Sequence, residues 1–477
     1  MRENGLDSGR RATRVPTPGS LFALADIYGA LDLTGAGPPD VPWGATPSLE
    51  AFRRAMEAGA PYLPERYRRS YVAPVEDSLA GLLEATGDGA GDDPAETVLG
   101  AVYQHAPGSP VRAPLRRLIG VVSEVYAAFL GAERRARLDL PLTETVPPLA
   151  TFRHEGSLGP YTFPSDVMRS LAGTDVGVVS LPSAYRSHPL LWGSLAHEVG
   201  GHDVLHADPD LLDELAAGVR QLFERTTGPE HPLGRVWAHW IDEAAADVYG
   251  VLNLGPQFGL NLLSWLAALR VRWGQVPRPA LLAWSGPEEG DVLDPHPTDI
   301  LRVHLAIGAI ASLHRLAVPV RLAYMGLLHA FGRAASPSPV VTLRGDVPSG
   351  RDGEVPRPVA ASFPRVGMEH AAFLVGQHVA TVASEALAGC CIQAIETWGD
   401  DDEGVARRIA DWMMGGPHGP TGTEDTSHAL SGATLAVLAD ARGYDRVTAR
   451  LGRALDTALA THPEWAPTAV SATARSA

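Results

Sequence analysis

Lysine is absent from this chain of 477 residues, and cysteine occurs at only two adjacent positions. All 39 basic residues are therefore arginines, which excludes a P-loop lysine, a pyridoxal-type Schiff base and a lysine nucleophile. Cys390 and Cys391 cannot supply a disulfide framework or a cysteine-based zinc site, and we interpret them as buried small apolar residues. Histidine and the carboxylates are the remaining candidates for site chemistry.

Basic charge is also scarce, since 39 arginines stand against 55 acidic residues and give a formal net charge of −16. This balance argues against nucleic acid or an anionic membrane as the main partner. No apolar run is long enough to span a bilayer, and residues 1–20 lack the apolar core of a secretory signal. We expect a soluble, cytoplasmic protein, and the sequence does not predict its oligomeric state.

The hydrophobic pattern predicts a mainly α protein of the α+β class. We divide the chain into a flexible tail (1–20), an N-terminal helical region (21–145), a catalytic core (146–305) and a C-terminal helical region (306–477). Val176–Pro182, a β-branched run closed by proline, predicts a short edge strand. Helices are predicted over residues 190–205, 235–252 and 261–273, and a long one opens near Asp294 and continues to Phe331.

The chemistry is concentrated in the first two of those helices. Residues 197–202 read His-Glu-Val-Gly-Gly-His, so the two histidines are five residues apart. On a regular helix five residues correspond to about 140°, against about 40° for a four-residue step. Both imidazoles can reach one metal ion only if the helix bulges at Val199–Gly201, as single π-helical turns at functional sites do. The two glycines provide a permissive backbone at this point.

The helix over residues 235–252 supplies a third ligand. Glu243 and Asp247 lie four residues apart, and therefore on one helix face. Together with His197 and His202, Glu243 completes a two-histidine, one-carboxylate site of the type that binds Zn²⁺, and Asp247 would accept a hydrogen bond from a ligand imidazole. The three alanines between the two acids would allow the helices to approach closely.

One rival pair stays open. His202 and His206 have the four-residue spacing of a regular helix and could bind zinc without a bulge. That assignment would leave Glu198 one turn away from the metal ion and His197 without a role. Alanine substitution at His197 and at His206 separates the two assignments.

The two motifs together resemble those of the gluzincin zinc metallopeptidases. The longer spacing, ending in Gly-His, is similar to the zinc motif of the dipeptidyl peptidase III family. The resemblance covers residues 176–305 and implies His197, His202 and Glu243 as zinc ligands, Glu198 as the catalytic base and Asp247 as an outer-shell acid. It also implies a zincin-like core in which a peptide substrate lies extended along the edge strand at residues 176–181.

In such a site, Glu198 would take a proton from the zinc-bound water and pass it to the leaving group. Our leading candidate for stabilising the oxyanion is His296, with Arg302 helping to order the site. Similar His-Pro…Arg segments follow the third-ligand helix in several zincin families. Tyr161 and Tyr185 are lesser candidates for the oxyanion.

We therefore expect a zinc-dependent hydrolase that acts on a peptide or a peptide-like small molecule. Two alternatives remain: a non-haem iron enzyme that uses the same two-His-one-carboxylate triad, and a non-catalytic, zinc-stabilised helical binding protein. Analysis of the bound metal distinguishes the zinc hydrolase from the iron enzyme. Glu198→Gln distinguishes the hydrolase from the non-catalytic protein, because it should abolish turnover and leave metal binding intact. The sequence does not predict the substrate or the position of cleavage.

Overall fold

The computed structural model describes residues 16–31, 47–85, 94–132, 135–138, 146–153, 159–227, 231–286, 292–348 and 356–460. The mainly helical class with small mixed sheets is confirmed. Most of the predicted tail lies outside the described residues, but the first helix already begins at Pro18. No helix in the described ranges is long and apolar enough to cross a membrane.

The elements follow one another in this order. The helices are α1 Pro18–Ala30, α2 Leu49–Gly59, α3 Glu65–Tyr67, α4 Ala73–Ala85, α5 Pro94–Tyr103, α6 Arg112–Leu130, α7 Ser165–Ala172, α8 Leu195–Val199, α9 Leu211–Thr227, α10 Leu233–His239, α11 Ile241–Leu254, α12 Pro256–Arg272, α13 Asp299–Ser312, α14 Val318–Ala335, α15 Arg365–Thr381, α16 Ile392–Ile395, α17 Asp400–Met414, α18 Thr426–Ala439 and α19 Tyr444–Leu459. The strands are β1 Leu149–Arg153, β2 Tyr161–Phe163, β3 Val178–Pro182, β4 Trp284–Ser285, β5 Val340–Val347 and β6 Arg357–Pro364.

The prediction of an edge strand at residues 176–182 is wrong. Strand β3 is the central strand of a three-stranded sheet, parallel to β1 and antiparallel to β2. All five of its residues are buried, which is typical of a strand covered on both sides. The edge that lies nearest to the predicted site is instead β2, which contacts α8 and the turn that follows it.

Other expectations need smaller corrections. The long helix predicted to start near Asp294 is two helices, because Pro319 is accommodated in the first turn of α14 and not in a helix interior. The helix predicted over residues 235–252 breaks at Trp240, between α10 and α11. For residues 335–365 the Pro-, Ser- and Gly-rich sequence predicts an extended loop with a short strand at Val340–Leu343, whereas the structure contains the antiparallel strands β5 and β6 there. Cys390 and Cys391 are partly exposed and not buried.

Helix α11 occupies the middle of the molecule. All but one of its residues are buried, and it contacts α8, α12, α13, α15 and α18. A helix that is buried almost all round is a core element, so Glu243 and Asp247 on α11 lie in the interior, whereas Asp242 is partly exposed. Buried residues from α1 to α19 form one connected apolar core. The predicted boundary after residue 305 falls inside α13.

Candidate metal centre

The helix that carries the first motif changes its winding between the two histidines. Helix α8 ends at Val199, and residues Gly200–Val204 form a π-helical turn in which the Leu205 N–H donates to the Gly200 carbonyl over 3.1 Å. The predicted bulge is therefore confirmed. The imidazole rings of His197 and His202 come within 5.0 Å of each other, centroid to centroid, at an interplanar angle of 83°.

The glycines in this turn are needed for close packing and not for an unusual backbone. Gly200 has φ −69°, which any residue can adopt. A Cβ at Gly200 would lie 1.9 Å from the Tyr249 ring, and a Cβ at Gly201 would lie 1.9 Å from the Cβ of Ala246. The π turn thus lies directly against α11, as the small residues of that helix predict.

Both imidazoles direct their Nε2 atoms at one carboxylate. The Nε2 of His197 lies 3.2 Å from Glu243 Oε2, and the Nε2 of His202 lies 3.5 Å from Glu243 Oε1. Two ligand atoms at about 2.0–2.1 Å from a tetrahedral Zn²⁺ ion are separated by about 3.4 Å. Glu243 Oε2 is buried and has no hydrogen-bond partner among the described residues. The three residues therefore fit a metal ion, and their potential ligand atoms all lie within 4.8 Å of one another.

A second carboxylate holds each imidazole from behind. Asp247 Oδ1 lies 2.9 Å from His197 Nδ1, and Asp242 Oδ1 lies 3.2 Å from His202 Nδ1. Arg302 donates two hydrogen bonds to Asp247, at 2.7 and 2.6 Å. Such contacts fix the tautomer that leaves Nε2 free to bind a metal ion. Sequence reasoning assigned Asp247 and Arg302 to this region but missed Asp242, although its position next to Glu243 was a signal.

The rival pair is also close together in space. His206 Nε2 lies 3.2 Å from both carboxylate oxygens of Asp242, so His202, His206 and Asp242 form a second candidate group. The two groups share His202. Its Nδ1 atom faces Asp242, and its Nε2 atom faces Glu243. The group with Asp242 is partly exposed, whereas His197 and Glu243 are buried. Because Glu243 is buried and Asp242 is partly exposed, Glu243 gains more from a cation, and the group with Glu243 is the better metal site.

Glu198 lies beside this group, next to the edge strand. The Thr162 hydroxyl on β2 is 3.0 Å from the Glu198 carbonyl oxygen and 3.3 Å from Glu198 Oε2. Glu198 is 8% exposed and lines a cleft together with His197. Thr162 was not found from the sequence, because three strand residues carry too weak a pattern to be placed beside a helix.

His296 is the oxyanion candidate that the structure brings to the site. Its Nε2 lies 3.2 Å from Glu243 Oε1, and its Nδ1 lies 2.8 Å from Asp294 Oδ1. Half of its side chain is exposed, toward the cleft that it lines. The Tyr161 hydroxyl is instead paired with Thr97 at 2.6 Å, away from the metal ligands.

Tyr185 lies in the interior and does not line the cleft. Its side chain is fully buried and hydrogen-bonds Trp265. Burial, with the nearby charge of Glu198 adding to it, raises the pKa of this phenol well above its usual value. Tyr185 therefore contacts Trp265, a residue of the cleft lining, from the interior.

The cleft next to the metal ligands encloses about 490 Å³. Its polar lining includes His197, Glu198, His296 and Arg302. Its apolar lining, which we call the apolar wall, consists of Leu262, Trp265, Leu266, Leu269, Trp273 and Val292. A lining that combines apolar and aromatic side chains with a few charged groups is typical of a site for an organic ligand.

Opposite charges dominate the titration of the cluster. Burial disfavours the charged form of His197, but the hydrogen bond to Asp247 and the nearby carboxylate of Glu243 raise its pKa to about 10. Burial also disfavours ionised Glu243, yet the nearby His296, His197 and His202 lower the pKa of this carboxyl group well below its usual range. The carboxylates therefore stay ionised and attract positive charge, which protons supply when no metal ion is bound.

Comparison of the chain with family models, with curated proteins and with solved structures gives no match in any of the three. Support for a function therefore comes from the geometry and chemistry of the site and from the resemblance of its two motifs.

Proposed function

We propose that this protein is a zinc-dependent hydrolase that cleaves an amide bond in a peptide or peptide-like substrate. The observation that carries the proposal is the convergence of His197 and His202 on Glu243 across a π-helical turn, with Glu198 between the two histidines in sequence. The motifs resemble those of gluzincin peptidases, and the resemblance is the reason for preferring peptide chemistry.

A bound Zn²⁺ ion would polarise the scissile carbonyl and lower the pKa of a water molecule. Glu198, which lines the same cleft, would act as the base that takes a proton from the attacking water and delivers it to the leaving nitrogen. Asp247 and Asp242 hold the imidazoles in the tautomer that binds metal through Nε2. His296, oriented by Asp294, donates to the oxyanion from the open side of the cleft.

The surroundings of the cleft support an extended, partly apolar substrate. Strand β2 pairs with β3 on one side, and in the described part of the chain its other edge has no strand partner. A peptide can add to such an edge through main-chain hydrogen bonds. The wall formed by Leu262, Trp265 and Leu266 would take up an apolar side chain next to the scissile bond.

The decisive experiment compares Glu198→Gln with the wild type, using metal analysis and hydrolysis of an internally quenched peptide library. We expect one zinc ion per chain in both proteins and a loss of turnover of about 10²- to 10⁴-fold in the variant. Glu224→Gln, at an exposed position on α9, is the matched control and should leave both values unchanged.

Full activity of Glu198→Gln would contradict the mechanism. Iron in place of zinc, with oxygen consumption by the purified protein, would favour the oxygenase alternative. Stoichiometric zinc without hydrolysis of any library member would favour the zinc-stabilised binding protein.

A further inference from the structure

A second cavity, larger than the metal cleft, lies against the other end of α11. It encloses about 990 Å³ and is bounded by α6, the last turn of α11, residues 396–399 and the first turns of α17 and α18. None of the described residues that line it also lines the metal cleft. It is therefore a separate space, and the hydrolase proposal does not use it.

Carboxylates dominate the lining of this acidic cavity: Glu124, Glu396, Asp400, Asp401, Asp402, Glu424 and Asp425. Several of them have a structural purpose. Asp402 accepts the Gly399 N–H over 2.8 Å at the start of α17, and Glu424 is paired with Arg408 at 2.7 Å. Charges of this kind stabilise helix starts and indicate no ligand by themselves.

Three side chains in the lining offer oxygen atoms that are not used in this way. The Glu396 carboxylate is partly exposed and forms no hydrogen bond or ion pair with a described residue, although the charge of Arg315 acts on it. The Asn253 side chain hydrogen-bonds Tyr249, and this bond leaves its Oδ1 atom without a partner in the described structure. Asn253 and Thr397 are 4% and 8% exposed, and Asn253 Oδ1 and Thr397 Oγ1 are buried without a hydrogen-bond partner in the described structure. Buried polar atoms nearly always have a partner, so these atoms indicate one that binds from the cavity.

The chemistry of these groups identifies the missing partner. A carboxylate and an amide oxygen only accept hydrogen bonds, and the hydroxyl can also accept, so the complementary group is a donor. Burial, with Asp402 and Asp425 adding to it, raises the pKa of the Glu396 carboxyl group to about 8, and Arg315 opposes this rise only in part. A cation bound beside Glu396 would favour its ionised form. Arg315, the one arginine in the described lining, is exposed.

We propose that the acidic cavity binds a small aliphatic amine through its ammonium group, with Glu396, Asn253 and Thr397 as acceptors. An ammonium group carries three N–H donors and one positive charge, which matches two unpaired oxygens and a carboxylate. The volume far exceeds that of a single metal ion and falls in the range of sites for organic ligands. Val125 and Trp398 in the lining contact the aliphatic part of the amine.

The test is calorimetric titration of the zinc-loaded protein with spermidine in 0.15 M salt. We expect saturable binding, and Glu396→Gln should weaken it by about tenfold or more, because a hydrogen bond to a charged group is lost. Glu57→Gln removes a negative charge at an exposed position on α2 and should bind spermidine as the wild type does. Far-UV circular dichroism and zinc content verify that both variants are folded.

Two further titrations make the result specific. Tetramethylammonium has the charge but no N–H donor, and Mg²⁺ has charge without an organic part, so neither should bind in the cavity. Equal binding of either probe, or unchanged spermidine binding in Glu396→Gln, would overturn the proposal. Binding that disappears in His202→Ala would place the amine at the metal ligands and would also overturn it.

Discussion

Two groups of polar side chains lie along α11, one around Glu243 near the start of the helix and one in the acidic cavity near its end. Around Glu243, imidazoles and a guanidinium group from other elements face each carboxylate. In the acidic cavity, main-chain N–H groups and Arg408 occupy several carboxylates, while Glu396 has no partner. The first arrangement is the proposed metal site, in which carboxylates orient the imidazoles, whereas the second contains the unpaired acceptor atoms on which the amine proposal is based.

The largest expected effect is the loss of zinc affinity when a single histidine ligand is removed. His197→Ala should lower zinc affinity by at least about 100-fold, since a ligand counts for more than the outer-shell contacts that are worth 10- to 100-fold. His206→Ala should retain one zinc ion per chain, because its imidazole faces Asp242 and not Glu243. Zinc content after dialysis against a weak chelator measures both. The opposite pattern would assign the metal ion to His202, His206 and Asp242.

A smaller loss of stability is expected when the close packing of the π turn against α11 is disturbed. Gly201→Ala introduces a Cβ 1.9 Å from that of Ala246, and the two segments must separate. We expect a loss of about 1–3 kcal/mol in the free energy of unfolding, together with weaker zinc binding. Chemical denaturation with and without zinc measures both quantities.

The control is Gly81→Ala in α4, where nothing lies within 4 Å of the added Cβ. It should stabilise the protein by up to about 1 kcal/mol, because alanine restricts the unfolded chain. Equal destabilisation by both substitutions would show that close packing at Gly201 is unimportant.

The smallest effect concerns Glu396 and the pH dependence of stability. Its folded-state pKa of about 8 is above the usual 4.5, so the folded protein binds more protons than the unfolded chain between these values. Stability from this group therefore falls as the pH rises through that window. Asp402, Asp425 and Arg315 are the charged groups that act on it.

Glu396→Gln should remove this contribution and raise the melting temperature relative to the wild type more at pH 8 than at pH 5. Differential scanning calorimetry at the two pH values measures the effect. An identical shift at both would mean that Glu396 is ionised throughout the range, and would remove one support of the amine proposal.

The two regions also differ in how far the sequence predicts them. The proposed metal ligands lie within two short segments of the chain. His197 and His202, five residues apart, could reach one metal ion only if the helix bulges between them, and the structure contains that bulge. The acidic cavity combines Glu124, Asn253 and Glu396, which are far apart in the chain and follow no common spacing. The local periodicity of a sequence does not indicate which residues far apart in the chain will line the same cavity.

The sheet illustrates the same limit. The β-branched run at β3 predicts a strand correctly, but its position within the sheet depends on β2, which has only three residues. Both neighbours of β3 had to be known before it could be recognised as central. Asp242 was missed for a related reason, since its contact with His202 depends on the tight approach of the π turn to α11.

The π turn has one further consequence, for how such motifs are related by descent. A π turn holds one residue more than an α-helical turn, so loss of a single codon among residues 199–201 would restore both a regular helix and the four-residue interval between the histidines. Both histidines would be retained after the loss of that codon. Histidine motifs of the two lengths are thus separated by one insertion or deletion, and genes that differ only in this indel can encode the same ligand set.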